Sequence, residues 1–471
     1  MLMRANTQRR WSGFLPLVLA GAALGWCASP APAELVLQTV YTSAAGRYNT
    51  WFSALTQTPD GSFYGTTPAY DGSSPYGTVF RMTRAGALTT RQIFLGVNGL
   101  DPEGGLLLAS DGGLYGTTMG GGAYSLGTIY RITASGLFQT VAAFNGTNGA
   151  SPMFTLIQAR DGFLYGVTLH SGTNNTGAAM VFRASTAGVV TTLTNLPAYT
   201  MPSDGLVEGP DGWLYGTTTA FSFSGGPIGS IYKVSTNGTF RTLASFYDGP
   251  VPLLWGSGDR PIGGLTAGTD GFLYGTIGHS LVPMATSNGS VFRMTTNGVK
   301  TTLCSFSGTN GSNPLTRLLL AKDGAFYGMT AQGGPSGDGT IFRVTTNGLL
   351  TTLAGGFGFY SANSSIPPLM QADDGNLYGT GIVPTSGSYL SVIWRLVPPP
   401  NIAGQTLSNG RLTLTWTSFT NGGYQVACKG AINETNWTAL GSTITATGGE
   451  AAFSYFPGST AQRFYRVTLL P

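Results

Sequence analysis

The chain has 471 residues, 72 of them glycine, with only 9% charged and a formal net charge of +4. That length exceeds what one ordinary core fills, so it implies several domains or a closed repeat array, and the many turn residues with few charges favour short strands. The Lys and Arg are dispersed, which excludes the basic stripe of a nucleic-acid surface.

The N-terminus reads as an export signal. A basic segment ends in Arg9-Arg10, an apolar run covers residues 14–26, and Ala31-Pro32-Ala33 forms a small-residue cleavage site. Residues 1–33 are therefore expected to be removed, leaving a protein secreted from a bacterium or held at its cell surface or outer envelope. A twin-arginine signal and lipidation at Cys27 fit less well, because the residues after the arginine pair do not continue the motif and Trp26 is bulky. Removal leaves Cys304 and Cys428 in different domains, which argues for isolated thiols instead of a disulfide framework. No later run approaches the roughly 18 to 20 apolar residues of a membrane span.

From about residue 35 to 397 one pattern dominates. Asp211-Gly212-Trp213-Leu214-Tyr215-Gly216-Thr217-Thr218 has six further versions, beginning at Asp60, Asp111, Asp161, Asp270, Asp323 and Asp374. A spacing of about 50 residues marks a repeat architecture. Each Asp-Gly turn follows a short apolar strand, a, and precedes a strand b that carries Tyr-Gly. After a variable loop comes strand c, typified by Gly77-Thr78-Val79-Phe80-Arg81-Met82-Thr83, with counterparts at 127–133, 180–185, 229–234, 289–295, 339–345 and 391–396. Turns such as Asn237-Gly238 lead into strand d, as in Thr301-Thr302-Leu303.

Four antiparallel strands per repeat is the spacing of a β-propeller blade. The seventh repeat runs into Pro398-Pro399-Pro400 without a strand d, whereas Leu35-Val36-Leu37-Gln38-Thr39-Val40-Tyr41 has the pattern of d and no blade of its own. The expectation is an all-β chain in which residues 34–397 form a seven-bladed β-propeller, closed when this N-terminal strand completes the last blade and covers its open edge. A Pro-rich linker at 398–402 then leads to a small β-sandwich at 403–471, with strands around Trp416, Tyr424 and Phe464 and with Trp437 as a core anchor.

The paired motifs Asp-Gly-x-Leu-Tyr-Gly-Thr-Thr, Gly-Thr-Val-Phe-Arg and Thr-Thr-Leu resemble the Gloeo/Verruco repeat of choice-of-anchor tandem repeat GloVer-containing proteins, over roughly residues 35–397. The tail, with Tyr424-Gln425-Val426, Trp437 and Arg463-Phe464-Tyr465-Arg466-Val467, is similar to the fibronectin- or immunoglobulin-like modules that end such secreted proteins. The resemblance implies export and no established activity, and it brings no catalytic residues.

Asp60, Asp111, Asp161, Asp211, Asp270, Asp323 and Asp374 are expected to be structural, because Asp accepts hydrogen bonds from its own turn and Gly supplies the positive φ. A calcium site would need 6 to 8 oxygens, more than Asp-Gly offers. Strand c carries Arg81, Arg131, Arg183, Lys233, Arg293, Arg343 and Arg395, placed to pair with those carboxylates. His170 and His279 stand four residues past the strand-b glycine, yet two imidazoles make a poor metal site, so neither metal nor cofactor is expected.

The b–c and d–a loops share the other face and vary most. They carry Tyr70, Tyr76, Tyr124, His170, Phe221, Trp255 and His279, a set suited to sugar rings or a protein partner. These residues point to an exported, monomeric binding or adhesion module for an extracellular glycan or protein. The alternative is a polysaccharide-degrading hydrolase or lyase using acids of the same loops, among Asp101, Glu103, Asp204, Glu208, Asp248 and Asp259.

Overall fold

The computed structural model describes residues 13–17, 36–43, 52–68, 76–171, 178–220, 227–247, 259–279, 288–355, 367–384, 389–397, 402–418, 423–430, 434, 436–448, 450–457 and 463–469. Every regular element among them is a β-strand. The chain divides into two units, Thr39–Arg395 and, together, Met1–Gln38 with Leu396–Pro471.

In the larger unit each repeat forms its own antiparallel sheet, with the strands side by side in the order a, b, c, d. The fourth sheet shows the pattern: Val207–Glu208, Leu214–Ala220, Pro227–Val234 and Phe240–Tyr247. Gly212 has φ 76°, a left-handed conformation in which a side chain would be strained, and this lets the chain reverse between a and b. Strands b and c are almost wholly buried while d alternates outward, so hydrophobic content falls from the middle of the sheet to its rim.

Side chains from adjacent sheets interlock into shared cores. Tyr165, Val167 and Val181 of the third sheet pack with Leu214, Tyr232 and Val234 of the fourth. A polar contact repeats beside them, in which the backbone N–H preceding the turn Asp donates to a strand-a side chain of the next sheet. Ser110 N–H reaches Gln158 Oε1 at 2.7 Å, Arg160 N–H reaches Glu208 Oε2 at 3.0 Å, and Lys322 N–H reaches Gln371 Oε1 at 2.7 Å.

The seventh sheet makes this same contact with the first. Asp373 N–H donates to Gln57 Oε1 at 2.8 Å, and Phe63 packs on Tyr378 with ring centroids 4.5 Å apart. The outer strand of the seventh sheet is Val36–Thr42, lying beside Tyr389–Val397, with Val40 and Tyr41 packed on the core shared by the first and seventh sheets. Deleting residues 34–42 is expected to bare the edge of Tyr389–Val397 and remove those two side chains from the core, at about 3 kcal/mol or more. Thermal melting checks this, and an unchanged midpoint would refute it.

Among the described residues the d–a connections, expected as loops, contain short strands in four repeats. Ala150–Pro152, Thr200–Pro202, Asp259–Arg260 and Ser312–Pro314 each lie against the far half of strand b. Two or three residues beside a proline are too few to show alternation, so the sequence pattern hides them.

In the other unit, Ile402–Ser408, Arg411–Thr417 and Glu450–Tyr455 form one sheet, and Gly423–Lys429, Thr438–Thr445 and Arg463–Leu469 belong to a second. The backbone of Gly13–Leu17 runs antiparallel to Arg463–Leu469 in the second sheet. Leu412, Leu414 and Trp416 of the first sheet share a buried cluster with Tyr424, Val426, Tyr465 and Val467 of the second. Trp437 is not the core anchor expected of it. It is half-exposed between Lys429 and Arg466, whose charges lie 4.9 and 4.6 Å from its ring, and Trp416 fills the core instead.

Candidate functional site

The seven turn aspartates make a repeated structural joint. In every sheet Oδ1 accepts the backbone N–H two residues on, from Ser62 N–H at 3.1 Å on Asp60 to Asn376 N–H at 3.0 Å on Asp374. In six, Oδ2 also accepts the strand-b tyrosine hydroxyl, as with Tyr215 to Asp211 at 2.7 Å. Strand-c cations complete the joint within the same sheet: Arg81 with Asp60, Arg131 with Asp111 and Arg343 with Asp323 at 2.9 Å, and Lys233 with Asp211 at 3.2 Å. Arg183 and Arg293 lie over the rings of Phe163 and Phe272, each 4.7 Å from the centroid. Arg395 interacts with the Tyr378 hydroxyl.

Desolvation alone would raise these carboxyl pKa values. For Asp111, Asp211 and Asp323 the turn N–H, the tyrosine hydroxyl and the strand-c cation outweigh it and hold each below the ordinary range. A depressed folded pKa contributes stability above the unfolded value, near 4, that is lost as pH falls through the folded value. Melting temperature is therefore expected to drop as pH falls below about 4, and an acid melt matching that at pH 6 would refute the joint as a source of stability.

The segment entering each sheet tells a different story. Five residues before each turn Asp stands a buried leucine: Leu55, Leu106, Leu156, Leu206, Leu265, Leu318 and Leu369. The three residues ahead of that leucine converge from several sheets on one cavity. Phe52, Ser53 and Ala54 come from the first, Glu103, Gly104 and Gly105 from the second, Met153, Phe154 and Thr155 from the third, Asp204 from the fourth, and Pro367 and Pro368 from the seventh. Most are small or apolar, so the charged members stand out.

Glu103 is half-buried at this cavity, and among the described residues its carboxyl has no hydrogen-bond or ion-pair partner. Burial, and then the charge of Asp101, push its pKa up to about 7. Asp204 is fixed by Arg317 of the sixth sheet, whose Nε donates to Asp204 Oδ2 at 2.9 Å while Nη1 and Nη2 donate to the carbonyls of Leu206 and Gly205 at 3.2 and 2.8 Å. Arg317 thus reaches past the fifth sheet to the fourth and ion-pairs with Asp204. A carboxyl pushed up toward neutrality and a second carboxyl fixed by an arginine, lining a single cavity, make up a candidate acid/base site.

Sequence reasoning named Asp101, Glu103 and Asp204 only among six loop acids and did not single out Arg317. Aligning the repeats on the turn Asp exposes the signal. Immediately before the buried leucine the other six repeats carry Ala54, Gly105, Thr155, Gly205, Gly264 and Pro368, where the sixth carries Arg317. Glu208 instead belongs to the joint between the third and fourth sheets.

The predicted loop residues scatter. Tyr76 and Tyr124 are exposed, the latter 60%. His170 ends strand b of the third sheet opposite Ala150, and His279 holds the matching place in the fifth opposite Asp259. Tyr70, Phe221 and Trp255 lie outside the described residues, as does Asp248. Exposed Tyr199, at 91%, was not anticipated. Among the described residues no three His, Cys, Asp or Glu side chains cluster as metal ligands, and no helix is long and apolar enough to cross a membrane.

The sequence profile of the family described as Gloeobacter/Verrucomicrobia repeat matches residues 52–280 and 255–452. No curated protein matches. Among solved structures the chain is similar to an oligogalacturonate lyase in complex with manganese, at 13% identity and a TM-score of 0.50, covering 78% of this chain and 98% of that one. It is also similar to an α-L-arabinanase of Penicillium chrysogenum complexed with arabinobiose, at 15% identity and a TM-score of 0.39, covering 77% and 98%. A family 93 α-L-arabinofuranosidase of Fusarium graminearum gives 12%, 0.40, 77% and 98%. The fold is all-β and propeller-like.

Proposed function

The chain belongs to the Gloeobacter/Verrucomicrobia repeat family, and from that premise we propose that it is an exported enzyme cleaving glycosidic bonds at the cavity holding Glu103 and Asp204. In this reading residues 34–397 form a seven-bladed β-propeller closed by its N-terminal strand, residues 403–471 form a β-sandwich, and residues 1–33 are the export signal. The observation that carries the activity is the unpartnered, half-buried Glu103 carboxyl facing the same cavity as the Arg-held Asp204 carboxylate. Fold likeness alone would not carry it, because one fold hosts many activities.

Glu103 is the proton donor. Protonated near neutrality, it gives its proton to the glycosidic oxygen as the bond to the anomeric carbon breaks. Asp204 supplies fixed negative charge beside the oxocarbenium-like centre that develops. Arg317 is assigned as a positioning residue, since its Nε, Nη1 and Nη2 donate to Asp204 Oδ2 and to the carbonyls of Leu206 and Gly205.

Exposed Tyr76, Tyr124 and Tyr199 favour a second reading, glycan capture without turnover. A panel of polysaccharides assayed for new reducing ends and for binding separates the two. Cleavage that disappears in Glu103→Gln supports the enzyme, whereas binding without cleavage, weakened by Tyr124→Ala, supports the capture module.

A further inference from the structure

Around the second sheet, exposed apolar side chains gather where the fold does not need them. Resting on the reading of this chain as one that acts on glycans, we infer that Tyr76, Leu95, Val97 and Tyr124 form a polysaccharide-binding platform at the rim of the Glu103 cavity, separate from the groups that break the bond. The connection into the second sheet folds back at Gly96 and Gly99, whose N–H groups and carbonyls bond each other at 3.1 and 3.2 Å. Gly96 also accepts the N–H of Gly122, at 2.8 Å, from the b–c loop that bears Tyr124. The Tyr76 ring lies against the same glycine, where a Cβ would stand 3.7 Å from its Cε1. Glycines thus form a floor beside two exposed tyrosines, with Leu95 and Val97 flanking Gly96 at 63% and 81% exposure.

The sixth sheet supplies the control, because it builds the same loop pair. Gly308 and Gly311 bond each other at 3.1 and 3.3 Å, Gly334 N–H reaches the Gly308 carbonyl at 2.8 Å, and Asn313 N–H reaches the Asn288 carbonyl at 2.9 Å, as Asp101 N–H reaches that of Tyr76 at 2.9 Å. Yet the residues standing in place of Tyr76, Leu95, Val97 and Tyr124 are Asn288, Ser307, Thr309 and Ser336. The scaffold therefore forms with polar side chains, and the apolar set answers to something outside the fold. Two observations make that partner a polysaccharide. Residues 93–100 and 119–127 include no charged side chain, which suits a sugar ring stacked on tyrosine and offers nothing to an ionic partner. The platform is also continuous with the cavity: Glu103 follows Gly99 by four residues, about 13 Å at most, and Pro102 packs against Gly77, the neighbour of Tyr76. A single polymer strand lying on the platform thus reaches the cavity.

The test moves the sixth sheet's residues into the second. Leu95→Ser, Val97→Thr and Tyr124→Ser are combined in the full chain carrying Glu103→Gln, so that cleavage does not consume the probe. Depletion onto immobilised arabinan, xylan, β-glucan and polygalacturonate is then measured beside Glu103→Gln alone. The melting midpoint is expected to stay where it is, because the scaffold already accepts these residues, while affinity for the bound polymer falls by about 10-fold or more. Tyr124→Ser by itself, which removes one exposed ring, is expected to lose about 3-fold. Equal polymer binding with and without these changes overturns the platform and leaves the cavity reading standing. Failure to bind any polymer overturns the inference, and reducing-end assays of the wild type decide the cavity reading separately. A dimer seen by light scattering and undone by the triple change would assign the patch to a second copy of the chain, which overturns the inference as well.

Discussion

Under the proposed activity, Glu103→Gln is expected to abolish polysaccharide cleavage and, above pH 7, to make the folded protein more stable than the wild type. The amide keeps the shape of the carboxyl but has no acidic proton, so kcat is expected to fall by about 10²- to 10⁴-fold. In the wild type the rate should decline as pH rises through about 7, because the donor is then ionised. The stability half follows from the same shift with the opposite benefit. A carboxyl whose folded pKa lies above its unfolded value binds its proton more tightly when folded, so its contribution is present below the unfolded pKa. It is lost as pH rises from about 4.5 through about 7. The full shift would correspond to about 3 kcal/mol, and partial exposure brings the expectation to about 2 kcal/mol. Glutamine never ionises and escapes that loss. Denaturant melts at pH 5 and pH 8 should therefore show wild type losing ground to the variant at the higher pH. A variant that keeps wild-type turnover, or is the less stable at pH 8, would remove Glu103 from the site.

The two faces of the repeat were legible to different degrees. Asp-Gly reads directly from the sequence as a turn because both residues act on their own backbone. The pairing of strand-c cations with the turn Asp follows from antiparallel order, and Arg81, Arg131, Lys233 and Arg343 form such pairs. The reason for the tyrosine is less accessible. A pleated position accounts for Tyr215, but its hydroxyl on Asp211 depends on how far strand b tilts back over the turn. The cavity was hidden for another reason. Glu103, Asp204 and Arg317 are separated by 101 and 113 residues in the chain and meet only because each occupies the entry to strand a in its own sheet. A reading that searches for conserved-looking motifs passes over them, since what distinguishes them is that each breaks the repeat.

The strand-b glycine shows the opposite case, in which the repeat is exact because the packing allows nothing else. Gly216→Ala is expected to cost about 3 kcal/mol or more, one of the largest losses available from a single added methyl. A Cβ there would lie 2.4 Å from Cζ and Oη of Tyr232, a fully buried side chain that packs on Phe240. Each sheet has the same arrangement, with the glycine following the strand-b tyrosine making room for the strand-c aromatic, from Phe80 over Gly65 to Trp394 over Gly379. Neither partner can retreat, because Tyr232 is also part of the core joining the third and fourth sheets. Gly212→Ala, four residues earlier, offers a comparison: nothing lies within 4 Å of its added methyl, and only the φ of 76° resists it, at about 1 kcal/mol. Denaturant melts of both variants should rank them in that order. Shortening the facing ring should then restore much of the loss, so Gly216→Ala with Tyr232→Val is expected to be less destabilised than the sum of the single changes. Strict additivity would mean that the glycine is there for its backbone and not for the ring it admits.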